Sequence, residues 1–286
     1  MLEEDGMMEW GEKNWFITGA SSGFGKAIAE AILARGGLVI ATARNPDTLD
    51  DLKAIAPDRV LAVQLDIRDP VGMAGALEQA KAFGGIDVLV NNAGYGFLGG
   101  VEESSDEEIA TQMDVNFFGP LRLVRAALPD MRARGSGFIV NISSIAGIRS
   151  FAGSAFYSTS KFALEALSEA LAGEVDRFGI GVMIVEPGYF RTDFSGRSLM
   201  HASNPHPDYD FLARRRAAAS AASGTQIGDP RRGARAIIDA MNAQTPPTRL
   251  VLGSDAYAIV KDALDARHME LEDWRTLSES TDFAED

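Results

Sequence analysis

Tyr157 and Lys161 are the side chains best placed to do chemistry together in this sequence. On a helix, a spacing of four sets both on one face, one turn apart. A free tyrosine has a pKa of about 10 and is a poor acid or base at neutrality, but a neighbouring ammonium favours the phenolate and lowers that value. The pair can then move a proton. Ser144 lies shortly before Tyr157, just past the apolar run FIVNI of residues 138–142, which reads as a buried strand ending beside the Tyr157 helix. A hydroxyl there can hydrogen-bond a carbonyl oxygen. Far upstream, Gly19-x-x-x-Gly23-x-Gly25 puts glycines where a turn must tighten and where a pyrophosphate must approach the backbone at a helix N-terminus. A Tyr-x-x-x-Lys pair alone also marks many solvated helix faces, and a lone glycine motif is weak.

These residues need a scaffold, and the pattern of the chain supplies one. NWFIT (14–18), LVIATA (38–43), VLAVQL (60–65), IDVLVN (86–91), FIVNI (138–142), GVMIVE (181–186) and RLVLG (249–253) read as strands. Between them, helical spacing is expected near 23–35, 47–55, 70–83, 105–134, 157–177, 230–241 and 254–267. Strands that are continuous apolar runs alternating with helices predict an α/β fold: a doubly wound parallel sheet of about seven strands with helices on both faces. Ser105-x-x-Glu108 is a capping box opening the 105–134 helix. Gly119-Pro120 breaks that helix, because proline offers no N–H to the carbonyl of Asn116. The 157–177 helix shows a narrow polar stripe of Glu165, Glu169 and Asp176, and an apolar arc too wide for one sheet face to cover. Organisation is expected as an acidic extension (1–11), one domain (12–267) with an irregular, mixed stretch at about 188–228 of the kind that is usually functional, and an acidic tail (268–286).

Composition narrows the function classes. The chain has 286 residues, 46% hydrophobic and 24% charged, as in ordinary globular proteins. A formal net charge of −14 argues against a nucleic-acid partner and against an anionic membrane surface. With no cysteine there is no disulfide framework and no thiol chemistry, and the chain suits a reducing interior. The start is acidic where a signal peptide is basic, and no apolar run spans a bilayer, so a cytoplasmic location is expected. No metal is expected: His201 and His206, with Asp208 nearby, read as surface loop residues.

Taken together, TGASSGFG (18–25), NNAG (91–94), Asn116, Ser144, Tyr157-x-x-x-Lys161 and EPG (186–188) resemble, in order and spacing, the short-chain dehydrogenase/reductase family over about residues 12–265. Within it the chain resembles bacterial NADP-dependent reductases related to the hydroxysteroid and retinol dehydrogenase group. The resemblance implies a carbonyl/alcohol oxidoreductase with Tyr157 as acid or base. Ser144 fixes the substrate oxygen, Lys161 lowers the Tyr157 pKa and binds ribose, and Asn116 supports a relay water. It implies cofactor contacts from Thr18, Gly19, Ser21, Ser22, Gly23, Phe24, Gly25, Asp66, Ile67, Asn91, Ala93, Gly94, Pro187, Gly188 and Thr192, besides Tyr157 and Lys161. It also implies that the 188–228 stretch covers the substrate, and a homo-oligomer, dimer or tetramer, packed through the 105–134 and 157–177 helices.

Two finer expectations follow. Enzymes of this fold that use NAD tend to place a carboxylate at the end of the second strand, where this chain has Ala43 followed by Arg44, a partner for a 2′-phosphate. NADP(H) is therefore expected over NAD(H). Tyr95, Phe97, Leu98, Ile148, Phe151, Tyr189, Phe190, Phe194, Leu199 and Met200 cluster round the reactive carbon if the family placement holds, which favours a fairly large apolar carbonyl or alcohol substrate. A P-loop NTPase fails on Ala20 and Ala27, where that motif needs glycine and Ser/Thr. A sugar-nucleotide epimerase fails on glycine spacing and length. A dinucleotide-binding redox sensor without turnover remains the alternative.

Overall fold

A computed structural model describes residues 9–283. In chain order the elements are β1 (Asn14–Thr18), α1 (Gly23–Ala34), β2 (Leu38–Ala43), α2 (Asp50–Ile55), β3 (Val60–Gln64), α3 (Pro70–Ala82), β4 (Val88–Asn91), β5 (Gly96–Leu98) and α4 (Asp106–Met113). There follow α5 (Gly119–Arg134), β6 (Gly137–Ile142), α6 (Ala155–Val175), β7 (Ile180–Pro187), β8 (Leu199–His201), α7 (Asp210–Ala221), α8 (Pro230–Met241), β9 (Arg249–Leu252), α9 (Ser254–Asp273) and α10 (Arg275–Glu279). Seven strands form one sheet in the order β3-β2-β1-β4-β6-β7-β9, every pair parallel. Neighbouring residues on a strand face opposite layers: Trp15, Ile17, Val39 and Ala41 pack under α1 and α8, whereas Phe16, Ile40, Leu89 and Ile139 pack under α3, α5 and α6. Both layers are buried, which is why the strands read as unbroken apolar runs. Strand order reverses between β1 and β4, so a crevice opens beyond their carboxyl ends.

Local chemistry sets the element ends. Ser105 accepts a hydrogen bond from the N–H of Glu108, whose carboxylate in turn accepts one from the N–H of Ser105, forming the expected capping box. The expected break at Gly119-Pro120 takes the form of a π-helical turn over Asp114–Phe118, in which the N–H of Gly119 reaches back to Asp114. Pro129, inside α5, is a second interruption that the sequence reading passed over.

Three further expectations are corrected. Glu165 is not on a solvated stripe: it is 4% exposed and ion-paired with Arg249, because β9 brings a guanidinium beneath that face of α6. The helix expected to stop near residue 267 continues to Asp273, and α10 follows it. The covering segment is not merely irregular, since β8 pairs in parallel with β5 in a small second sheet. Trp10 packs edge-on against Phe138, with ring centroids 5.3 Å apart, and its N–H bonds Asn242. The expected 1–11 extension otherwise lies mostly outside the described residues, as does the end of the tail.

Candidate active site

The crevice at the carboxyl ends of β1, β2, β4, β6 and β7 is a cleft of about 1110 Å³. Its nucleotide end is shaped by glycine. Gly19 and Gly23 have φ of 67° and 57°, the left-handed region that glycine enters without strain. A Cβ at Gly25 would lie 2.4 Å from the Gly19 carbonyl, so the turn closes only with glycine there. Gly25 thus packs the turn and is not on the cleft wall, whereas Thr18, Gly19, Ser21, Ser22, Gly23 and Phe24 are. Ser22 ends the turn as N-cap of α1 with no side-chain capping bond, leaving its hydroxyl for a ligand.

The turn is braced by a residue that the sequence reading missed. Asn92 donates through Nδ2 to the carbonyls of Thr18 (2.8 Å) and Gly19 (3.1 Å). Thr18 Oγ1 accepts from the N–H groups of Asn92 and Ala93, both at 2.9 Å. Asn92, Ala93 and Gly94 line the cleft, but Asn91, expected there, does not. As the last residue of β4 it points inward, donating to Asn141 on β6 at 2.8 Å. The doubled asparagine of NNAG is the signal in the sequence that points to Asn92.

Arg44 lines the cleft at the end of β2, exposed, and forms no ion pair with a described residue. Ala43 beside it is buried. Asp66 and Ile67 are also on the wall; both oxygens of Asp66 are engaged by Arg68, at 3.1 and 2.8 Å, and that guanidinium holds the carboxyl below its usual range. At the opposite end Pro187, Gly188 and Thr192 line the cleft. Gly188 sits against Asp255, which also accepts the N–H of Tyr189 at 2.8 Å.

Between these ends stand Ser144, Tyr157 and Lys161. Ser144 caps a short turn, its Oγ accepting the N–H of Ala146 at 3.1 Å, and it shares the cleft wall with Tyr157, whose ionised form it favours. The Lys161 ammonium donates to the Ile142 carbonyl at 2.8 Å and stands 5.9 Å from the centre of the Tyr157 ring. Although part of Tyr157 is open to the cleft, the desolvated surroundings of its hydroxyl push its pKa up to about 12, with Ser144 pulling back. The pairing with Lys161 predicts a lowered value; burial sets the direction instead, and the ammonium is engaged by the Ile142 carbonyl. Burial lowers Lys161 to about 8, opposed by the charge of Glu165.

Asn116, on the π-helical turn, is buried and off the cleft wall. It clamps Tyr95: Nδ2 donates to the Tyr95 carbonyl (3.0 Å) and to Ser160 Oγ (3.2 Å), and Oδ1 accepts the Tyr95 N–H at 3.1 Å. Tyr95, Phe97, Leu98, Phe151, Tyr189, Phe190, Phe194, Leu199 and Met200 all line the cleft. The Phe194 ring lies 5.8 Å from that of Tyr157. Ile148 is the exception, turned away into a small core with Ala256 and Val260 of α9. His201 reaches the cleft rim, and His206 caps the turn at Asp208. Among the described residues no group of three or more His, Cys, Asp or Glu is arranged to hold a metal.

A doubly wound sheet with a glycine-shaped turn at its switch point, next to a Ser/Tyr/Lys set, defines a nicotinamide-dinucleotide oxidoreductase. The family model for short chain dehydrogenase matches residues 13–201, and the chain belongs to that family. It is 35% identical over 268 residues to Oxidoreductase BOA17 of Botryotinia fuckeliana, covering 93% of this chain and 98% of the relative. Over 247 residues it is 35% identical to Retinol dehydrogenase 8 of Bos taurus, covering 82% and 79%. Among solved structures, a short-chain dehydrogenase from Streptomyces avermitilis superposes with a TM-score of 0.88 at 46% identity, over 94% of this chain and all of that one. Two others were solved with cofactor. One is a Burkholderia cenocepacia enzyme in complex with NADP (TM-score 0.72, 28% identity, covering 92% of this chain and 97% of that one). The other is a Burkholderia phymatum enzyme in complex with NAD (TM-score 0.80, 26% identity, covering 93% and 97%). The cradle fits such a dinucleotide, since the positive-φ glycines leave backbone N–H groups at a helix N-terminus open to a pyrophosphate.

Proposed function

We propose that this chain is an NADP(H)-dependent oxidoreductase interconverting a fairly large apolar ketone or aldehyde with its alcohol. The observation that carries the reading is that Ser144, Tyr157 and Lys161 share one cleft wall, with the Lys161 ammonium 5.9 Å and the Phe194 ring 5.8 Å from the Tyr157 ring. The nicotinamide supplies or accepts hydride. In reduction, Ser144 donates a hydrogen bond to the carbonyl oxygen and Tyr157, protonated at neutral pH, gives its proton to that oxygen as negative charge develops. In oxidation the same phenol takes the proton back, and the ammonium of Lys161 favours the phenolate.

The cofactor is held by the glycine turn, by Ala93 and Gly94, and by Pro187, Gly188 and Thr192. Arg44, exposed on the cleft wall of an acidic protein and without an ion pair to a described residue, takes the 2′-phosphate. Asn116 acts by fixing Tyr95 on the substrate wall. The working form is a homo-oligomer in the cytoplasm. A panel of steroid, aromatic and aliphatic ketones assayed with NADPH tests this. Turnover of bulky apolar ketones supports it, activity on small polar sugars alone defeats the apolar pocket, and dinucleotide binding without turnover on any carbonyl returns the chain to a sensor.

A further inference from the structure

Behind the reaction site lies a buried ionic cluster that the proposed chemistry does not use. Glu165 sits one helical turn after Lys161 and is buried. It pairs with the Arg249 guanidinium from β9, which also bonds Glu186 on β7 at 3.2 Å and reaches the exposed Glu169 at 2.6 Å. The other oxygen of Glu165 faces the buried Ser143 hydroxyl without closing a well-formed hydrogen bond. A Cβ on Gly147 would stand 2.7 Å from Ser143 Oγ and 2.9 Å from Glu165 Oε1, so the loop and the carboxylate close on each other at that point. Glu186, 1% exposed, immediately precedes Pro187 and Gly188. One cluster therefore touches the helix of Tyr157 and Lys161, the loop of Ser144 and the strand that ends at Pro187, next to Gly188.

We infer that Glu165 is a positioning residue for the reaction: its negative charge keeps Lys161 an ammonium, and its side chain seats the Ser143–Ser144 loop against α6. The inference rests on the roles proposed above for Lys161 and Ser144. The groups facing Glu165 are Lys161 on its own helix, Arg249 from β9, Glu186 from β7 and Ser143 from the loop. Burial pushes both Glu165 and Glu186 upward, and the single guanidinium between them offsets only part of that. Among the described residues Glu165 is the carboxylate that acts on Lys161, and its charge opposes the burial that drags the Lys161 pKa down. An anion stabilises the ammonium, so removing the anion must lower the Lys161 pKa further below about 8.

The test combines a titration with a rate profile. With 13C-labelled lysine side chains, the Lys161 resonance, assigned by Lys161→Arg, is followed against pH in the wild type, Glu165→Gln and Glu165→Asp. We expect Glu165→Gln to lower the Lys161 midpoint by roughly half a pH unit or more, and Glu165→Asp to restore most of the shift. The alkaline limb of kcat/KM should move by the same amount. An unmoved Lys161 midpoint in Glu165→Gln overturns the inference, whatever happens to kcat or stability. Should Glu165→Gln not fold, Arg249→Gln on the part-exposed edge strand removes the cation that keeps Glu165 ionised, and must move the midpoint the same way. The titration needs no turnover, so a wild type inactive on every carbonyl would sink the proposed function while the resonance still decides the role of Glu165.

Discussion

At the scale of single residues, the decisive substitution is Tyr157→Phe, which keeps the ring beside Phe194 and removes only the proton. General acid–base groups contribute about 10²–10⁴-fold, so we expect kcat to fall by that order or more while NADPH affinity, measured by fluorescence titration, stays within about twofold. Wild-type-like turnover would refute the mechanism. The cofactor choice turns on Ala43 and Arg44. A charge-assisted contact contributes roughly 1.5–3 kcal/mol, about ten- to a hundredfold in affinity. NADPH should therefore exceed NADH in kcat/KM, and Ala43→Asp, which sets a carboxylate beside the 2′-phosphate, should erase or reverse that order; a wild type faster with NADH would show that Arg44 has another use. Residues of this kind were legible because their chemistry is encoded in type and spacing: Tyr157, Lys161 and Ser144 meet where their separations imply. Asn91 and Glu165 were not legible. Whether the first or second asparagine of NNAG faces the cleft depends on where β4 ends, and the partner of Glu165 comes from Arg249, 84 residues away in the chain.

At the scale of elements, the strands and helices of the sheet were readable from apolar runs and periodicity, but the way the covering segment is tied down was not, because its contacts join distant stretches. Glu103, with a wholly buried side chain, accepts the N–H groups of Gly100 (2.7 Å) and His206 (3.0 Å) and pairs with Arg216 of α7 at 2.7 Å. Glu108 accepts the N–H of Ser203 at 2.9 Å, and the Tyr209 hydroxyl donates to Glu102 at 2.5 Å. Three carboxylates, two ahead of α4 and one in its first turn, thus anchor residues 203–216 over the cleft. The Arg216 guanidinium and the two N–H donors hold Glu103 down at about 2, below its ordinary 4.5. A carboxylate whose folded pKa is depressed stabilises the fold above its unfolded value and loses that contribution as pH falls. We expect the anchor to be complete at pH 6 and to weaken from about 4.5 downward toward 2, read as faster proteolysis of the 203–223 stretch in acid. Glu103→Gln leaves Arg216 unpaired, a loss of the order of 3–5 kcal/mol for a buried pair. It should reproduce the acid behaviour at neutral pH and raise KM for the carbonyl substrate without changing NADPH affinity. A variant cleaved no faster than the wild type would mean that β8 and the Glu102 and Glu108 contacts hold the segment without Glu103.

At the scale of the whole molecule, what the chain leaves uncovered matters most. Among the described residues no helix is long and apolar enough to cross a membrane. On α6, Ala163, Ala166, Ala170 and Gly173 fall in one stripe at helical spacing; Ala166, Ala170 and Gly173 are exposed, and Phe162 and Leu167 beside them are only partly covered. Phe118, at the start of α5, is 43% exposed. Small residues let helices approach closely, and the apolar arc that the sequence showed as too wide for one sheet face is left open by this chain's own elements. A second copy of the chain, presenting α5 and α6 to their equivalents, is the covering that we propose. Stable interfaces bury about 800 Å² on each partner, and placing one guanidinium in the middle of such a surface costs several kcal/mol of desolvation. We therefore expect sedimentation equilibrium to give a dimer or tetramer for the wild type, and Ala166→Arg to raise the dissociation constant by about a hundredfold or more while circular dichroism stays unchanged. A wild type that sediments as a monomer at micromolar concentration, or an Ala166→Arg variant that associates as before, would place the contact elsewhere. The C-terminal helices, with Leu264, Met269, Leu271, Trp274 and Leu277 all more than half exposed, are the next surface to substitute.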